Sequence, residues 1–331
     1  MRKLFLAMFG GSPARAEICM YLNAAAGIYQ VCDMRCYPID KDTESPNYIK
    51  ARDFYLQYRE FRKIAVGSEL AGVEIQRTEP LFDEMLKNAN IAPQQESIRY
   101  ALAAHKGMRG EDGQLLDICY TYAEQEDKLA GGYYGKANMG AVINDIFVRE
   151  KVYEKLDIYK DIQTVLSGKN SLDVVIICSS FGGTGASLGI NFGEYLYDKF
   201  KEDENFHLHS IHIQPYFYFP DPIFIQDGGG QREKQIDYKQ FYAKSAAVTS
   251  VLGEREDLIK KDTKEAVFDR FYYIGQEVLD KVSERNSAAG GQDNNIHIID
   301  MLVSLAVQDI LREKQNKGTQ LYGYLYSNDG T

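Results

Sequence analysis

Ser171-Leu-Asp-Val-Val-Ile-Ile-Cys178 is an apolar, β-branched run that ends at a glycine loop, Ser179-Ser-Phe-Gly-Gly-Thr-Gly-Ala-Ser187. Leu188 to Phe200 then has helical spacing. Continuous apolar runs suit strands buried on both faces, as in a parallel sheet, and parallel strands are joined through crossover helices. The chain opens in the same way. Lys3-Leu-Phe-Leu-Ala-Met-Phe9 is followed by Gly10-Gly-Ser-Pro13, an Ala-rich helical stretch from Ala14 to Ala26, and a second strand over Met34–Ile39 that ends at the polar turn Asp40-Lys-Asp-Thr43. Two strand–loop–helix units predict an α/β fold, a mostly parallel doubly wound sheet with helices on both faces.

The remaining elements fit that frame. Residues 47–130 are charged, Tyr-rich and mostly helical in pattern, which predicts a helical insertion over one face and not a separate domain. Gly131–Gly140 is glycine-rich, and a helix is predicted from Ala141 to about Leu166, with Ile143, Ile146, Phe147, Val152 and Leu156 on one stripe. A strand is predicted over Phe206–Phe219, a helix from Ile236 to about Leu252, and a short strand over Val267–Ile274. After Asn294-Asn295 the stretch Ile296–Arg312 is a strongly apolar helix, expected to be buried against the sheet.

Composition narrows the function classes. With 38 Lys and Arg against 48 Asp and Glu, the net charge is −10, which argues against nucleic acid or a membrane surface as partner. No window approaches the ~20 apolar residues of a membrane span. Five cysteines read as reduced thiols, which points to a cytoplasmic location. His207, His209 and His212 look metal-like, but on a strand His212 faces away from the other two, so satisfied or surface histidines are expected.

The chemistry lies in the two glycine loops. Each offers free backbone N–H groups at a helix N-terminus, where the helix dipole favours an anion, and glycine lets the backbone approach a phosphate. Gly10, Gly11, Ser12, Gly182, Gly183, Thr184, Gly185, Ala186 and Ser187 are the candidate phosphate ligands, with the hydroxyls of Thr184 and Ser187 as added donors. Neither loop is a Walker A motif. A dinucleotide fingerprint also fits poorly, because the strand after the second loop ends at Gln214-Pro215 with no acidic residue for a ribose. Gly185-Ala-Ser187-Leu-Gly189 is a literal G-x-S-x-G, and the order Ser187, Asp221, His297 keeps a serine hydrolase as an alternative.

Ser180-Phe-Gly-Gly-Thr-Gly-Ala-Ser187 resembles the phosphate-binding signature of the tubulin superfamily, and the order of the other loops over roughly residues 1–312 is similar to it. In spacing and in its large helical insertion the chain resembles divergent prokaryotic tubulin-like proteins more than eukaryotic tubulin or the cell-division homologue. The resemblance implies a nucleotide-binding domain over residues 1–285, carrying the insertion at 47–130, and a central helix with a short tail over 286–331, without the family's second domain. It implies GTP or GDP as ligand, weak GTP hydrolysis, and Mg²⁺ held through water by Asp40 or Asp42. It further implies Asp221 at the ribose and Asn294 or Asn295 at the base, where helix capping is the alternative role for one of them. Arg15 either contacts phosphate or packs outward. A cytoskeletal or scaffold role follows, in an active or a vestigial form. The tail offers little to complete a neighbour's catalytic site, so a monomer or weak oligomer is expected, with self-association or a partner protein needed for any filament.

Overall fold

The chain is described by a computed structural model. It covers residues 2–29, 32–40, 45–67, 73–79, 81, 97–101, 111–126, 133, 137–218, 223–226, 233–236, 238–255, 258, 266–276, 280–281, 295–312 and 320–326.

Seven strands form one sheet: β1 (Arg2–Phe9), β2 (Cys32–Ile39), β3 (Glu74–Arg77), β4 (Leu172–Ser179), β5 (Phe206–Ile213), β6 (Arg270–Gln276) and β7 (Gln320–Tyr326). Their spatial order is β7-β6-β5-β4-β1-β2-β3, and every pairing is parallel. The helices are α1 (Gly11–Ala25), α2 (Pro46–Ala65), α3 (Glu111–Cys119), α4 (Ala137–Arg149), α5 (Asp157–Ser167), α6 (Ile190–Phe200), α7 (Tyr238–Glu254) and α8 (Ile298–Arg312).

Alternation along the strands builds two cores. Leu4, Leu6, Met8, Val175 and Ile177 meet α1 and α8 on one face. Phe5, Ala7, Phe9, Val174 and Ile176 meet α4, α5 and α6 on the other. Both faces are covered, which is why β1 is apolar throughout Leu4–Phe9 and β4 throughout Val174–Cys178. The expected α/β class and the burial of the central helix hold: Ile299, Val303, Val307 and Ile310 of α8 are almost fully enclosed.

Three elements differ from expectation. The segment read as helical at 47–130 contains β3, which pairs with β2 at one sheet edge. The helix expected over 141–166 is two helices. Lys151 takes a left-handed conformation, and a 3-10 turn over Val152–Lys155 buries Val152 and Tyr153 between them. The tail expected after the central helix contributes β7, the strand at the opposite edge.

The amino-terminal ends of the strands are tied by a buried ion cluster. Arg2 Nε donates to Asp173 Oδ2 at 2.7 Å, and Arg2 Nη1 donates to the Leu311 carbonyl at 2.6 Å. His209 Nε2 lies 3.0 Å from Asp173 Oδ1. Burial works to raise the pKa of Asp173, but the bonds from His209 and Arg2 outweigh it and hold the carboxyl below the ordinary range. A depressed folded-state pKa gives stability that is present above the unfolded value of about 3.9 and is lost as pH falls through the folded value. Urea unfolding of the full chain between pH 7 and pH 3 is expected to show falling stability below about pH 4, and a smaller fall in Asp173→Asn. Equal acid slopes in both would remove Asp173 as a source.

The other strand histidines have separate surroundings, and the His212 Nε2 is buried without a hydrogen-bond partner. His207 pairs with Asp269 at 3.7 Å, and buried His212 lies 3.4 Å from Cys178 Sγ. Burial holds His212 near pKa 4 and pushes the Cys178 thiol up to about 12, so this pair is neutral. The described cysteines are all free thiols, and only Cys119 is exposed.

Candidate functional site

β1 and β4 are neighbours, and the strand order turns from one direction to the other between them. In open α/β sheets this switch point leaves a crevice beyond the carboxyl ends of the strands. Both glycine loops open there.

After Phe9 the chain turns at Gly10, with φ of 88°, a conformation that needs glycine. The Gly10 N–H donates to the Ile39 carbonyl at 3.0 Å, and its carbonyl accepts from the Tyr48 hydroxyl at 2.9 Å. The helix α1 starts at once. Pro13 has no N–H, so the donors of the first turn that find no acceptor within the helix are those of Gly11 and Ser12.

After Ser179 the chain enters helical geometry at Gly183, makes a π turn over Gly185–Gly189, and continues as α6. Ala186 N–H already donates to the Gly182 carbonyl at 3.2 Å. The N–H groups of Gly182, Gly183, Thr184 and Gly185 precede the first such bond and have no acceptor within the helix.

The two turns touch. A Cβ placed on Gly10 would lie 3.4 Å from Gly185 N, and one placed on Gly185 would lie 2.9 Å from the Phe9 carbonyl oxygen. The hydroxyl of Thr184 donates to Asp40 Oδ1 at 3.1 Å, which joins the second turn to the end of β2. Asp40, Ser45 and Asn47 gather around Gly11, each with a polar atom 3.8–3.9 Å from where a Cβ would stand. Asn47 Nδ2 donates to the Gly11 carbonyl at 3.4 Å, while its Oδ1 is buried without a hydrogen-bond partner.

The structure therefore brings Gly10, Gly11, Ser12 and Gly182 to Gly185 together at the switch point, with Asp40 beside them, while Ala186 and Ser187 continue away from it in the π turn. It changes their roles. Gly10 and Ala186 have N–H groups engaged within the chain. Thr184 and Ser187, expected as outward donors, donate internally, Ser187 to the Gly183 carbonyl at 2.6 Å. Asp42, Asp221 and Asn294 lie outside the described residues.

Arg15 is at neither of its expected places. It is 3% exposed, and its Nε donates to Asp300 Oδ2 at 3.3 Å. Nη2 donates to the Tyr216 hydroxyl, and the guanidinium lies over the rings of Tyr216 and Phe217. Burial opposes its charge, but Tyr216 and Asp300 more than offset this and raise its pKa. An arginine on the buried side of α1 needs a buried acid, and α8 supplies it. The acid at the start of α8 also receives the His297 N–H at 2.9 Å and the Tyr216 hydroxyl at 3.2 Å.

Asn295 is exposed just before α8. The cap expected of an asparagine is supplied by His297, whose Nδ1 accepts from Ile299 N–H at 3.2 Å. Its Nε2 lies 2.6 Å from Asp280 Oδ2, and its ring stacks on Tyr216 with centroids 4.7 Å apart. Ser187 meanwhile is 4% exposed on the other face of the sheet, under α4, where a Cβ on Gly140 would fall 1.8 Å from its Oγ. The two described members of the hydrolase alternative thus belong to opposite faces, and each has another partner. The sequence reasoning missed Asn47, Tyr216 and Asp300. Asp300 carried a usable signal, a carboxylate in an apolar helix that has to be buried with a partner.

Among the described residues no group of three His, Cys, Asp or Glu side chains could hold a metal ion, and no helix is long and apolar enough to cross a membrane. No protein-family model and no curated protein matches the chain. One similar solved structure is an alcohol dehydrogenase from the archaeon Thermococcus sibiricus complexed with 5-hydroxy-NADP. It is 9% identical, with a TM-score of 0.25, over 87% of this chain and 100% of that one, a likeness too slight to bear on function.

Proposed function

We propose that the chain binds a nucleotide through its phosphates in the crevice between β1 and β4, and that the nucleotide is GTP or GDP. The observation that carries phosphate binding is the meeting of two glycine turns at the switch point, with the N–H groups of Gly11, Ser12 and Gly182 to Gly185 at the amino ends of two helices. The preference for guanine rests on the tubulin-like order of the loops.

Asp40 bears on the metal. A carboxylate beside an anion site is electrostatically adverse unless a cation stands between them. A single carboxylate with a buried, unpartnered amide oxygen at Asn47 and a hydroxyl at Ser45 makes an oxygen-rich donor set that fits hydrated Mg²⁺. Bound there, Mg²⁺ would neutralise phosphate charge. Thr184 holds the Asp40 carboxylate in place, and Asn47 fixes the Gly11 carbonyl. Weak hydrolysis and a cytoskeletal or scaffold role are the finer parts of this proposal.

Calorimetry of the purified chain with GTP, GDP and ATP in the presence of Mg²⁺ tests it. GTP and GDP are expected to bind and ATP to bind more weakly. Thr184→Val, which removes the Thr184 hydroxyl from Asp40, is expected to lower GTP affinity about tenfold, or about 1.4 kcal/mol. Absence of heat and of any thermal shift with all three nucleotides would remove the proposal, and phosphate release measured on the same samples reads hydrolysis.

A further inference from the structure

A second cavity lies outside the crevice, between the start of α4, the π turn, α6 and α7. It has a volume of about 440 Å³, within the range of small-molecule sites. Its walls are mostly apolar: Ala186 and Ile190 on one side, Ala247, Val248, Val251 and Leu252 on the other. Among the described residues the charged groups at its margin balance, Glu124 and Glu194 against Lys244 and Arg255, and Arg255 is paired with Glu194. Glu124 is further committed to Thr121, accepting from both its N–H and its hydroxyl. The other polar side chains of the wall among the described residues are the amides of Asn138 and Asn191, and Asn191 Nδ2 donates to the Ser187 carbonyl at 2.5 Å.

We infer that this cavity is a binding site for a small uncharged molecule with an apolar body and one or two hydrogen-bonding groups. Each part of that description has a physical source. The balanced margin favours neither sign of charge, so a charged ligand would lose hydration without a matching counter-charge. The apolar walls reward an apolar body. The two asparagine side chains provide hydrogen-bonding groups for orientation.

The position of the site gives it a consequence. Ala186 and Ile190 belong to the π turn and first turn of α6 that follow the glycine loop. π turns inside helices are frequent at functional sites. A molecule seated in the cavity contacts the same turn whose amino end faces the crevice. Binding itself does not depend on the nucleotide proposal, so the test is run without nucleotide.

The probe is N-phenyl-1-naphthylamine, an uncharged aromatic amine that fluoresces when it leaves water. Titrated with the full chain, it is expected to give a saturable, one-to-one rise in fluorescence. Ala247→Trp fills the cavity from an exposed helix position and is expected to weaken the probe at least tenfold. Val251→Trp, on the same wall and 59% exposed, repeats the test should the first variant not fold. Val66→Trp, an equally bulky change beyond the end of α2, is expected to leave binding unchanged. No saturable signal would overturn the inference. So would affinity within twofold of the unmodified chain in a folded wall variant, or an equal loss in Val66→Trp.

Discussion

Arg15→Ala is expected to destabilise the chain by about 3–5 kcal/mol, the usual cost of removing one partner of a buried ion pair. Arg15 is 3% exposed and Asp300 is 0% exposed, with 3.3 Å between their charged atoms. Truncation leaves the carboxylate enclosed with the Tyr216 hydroxyl and the His297 N–H as its donors among the described residues. The pair also joins α1 to the start of α8, so its loss is felt where both helices pack on the sheet. The destabilisation comes chiefly from the stranded charge and not from the attraction itself. Arg15→Met combined with Asp300→Leu is therefore expected to recover most of the stability lost in Arg15→Ala. Urea unfolding of the two variants beside the unmodified chain measures both effects. A loss below about 1 kcal/mol in Arg15→Ala, the range of exposed pairs, would place the guanidinium in solvent and return it to the candidates for phosphate contact.

That residue also shows what a sequence can and cannot disclose. The strands were legible because parallel strands buried on both faces carry long apolar runs, as β1 does over Leu4–Phe9 and β4 over Val174–Cys178. The glycine loops were legible because backbone geometry is a local property: Gly10 stands at a positive φ that residues with a side chain rarely adopt. The partner of Arg15 was not legible, since it is 285 residues away and only the sheet order brings it near. The edge strand β3 was hidden for a different reason. Its four residues, Glu74–Arg77, include three polar ones, because an edge strand has less to bury than a central one. The hydroxyls of Thr184 and Ser187 were assigned outward by residue type, and helical geometry turned Ser187 back to the Gly183 carbonyl. Loop composition showed where an anion would sit, while the donors available to it depended on bonds that only the folded chain displays.

The same bonds make Gly185→Ala the most informative single change at the crevice. A Gly-to-Ala change in helical geometry ordinarily stabilises by roughly 0.5–1 kcal/mol. Here the added Cβ would stand 2.8 Å from Ser179 N and 2.9 Å from the Phe9 carbonyl oxygen. Both are backbone atoms at the ends of adjacent strands in the middle of the sheet, and neither can turn aside as a side chain would. The clash is expected to reverse the sign and destabilise by about 1–3 kcal/mol, the range for overpacking. It also forces the second turn away from Gly10, so GTP affinity is expected to fall more than tenfold if both turns hold the phosphates. Gly182→Ala is the matched control. Its added Cβ would meet the Ser179 hydroxyl oxygen at 3.0 Å, a group that can rotate, and a much smaller loss of stability is expected. Urea unfolding and GTP calorimetry on the two variants separate the outcomes. Full stability and full affinity in Gly185→Ala would mean that the turns do not meet, and the shared crevice would have to be abandoned. Lost stability with retained affinity would keep the contact but move the phosphates off the second turn.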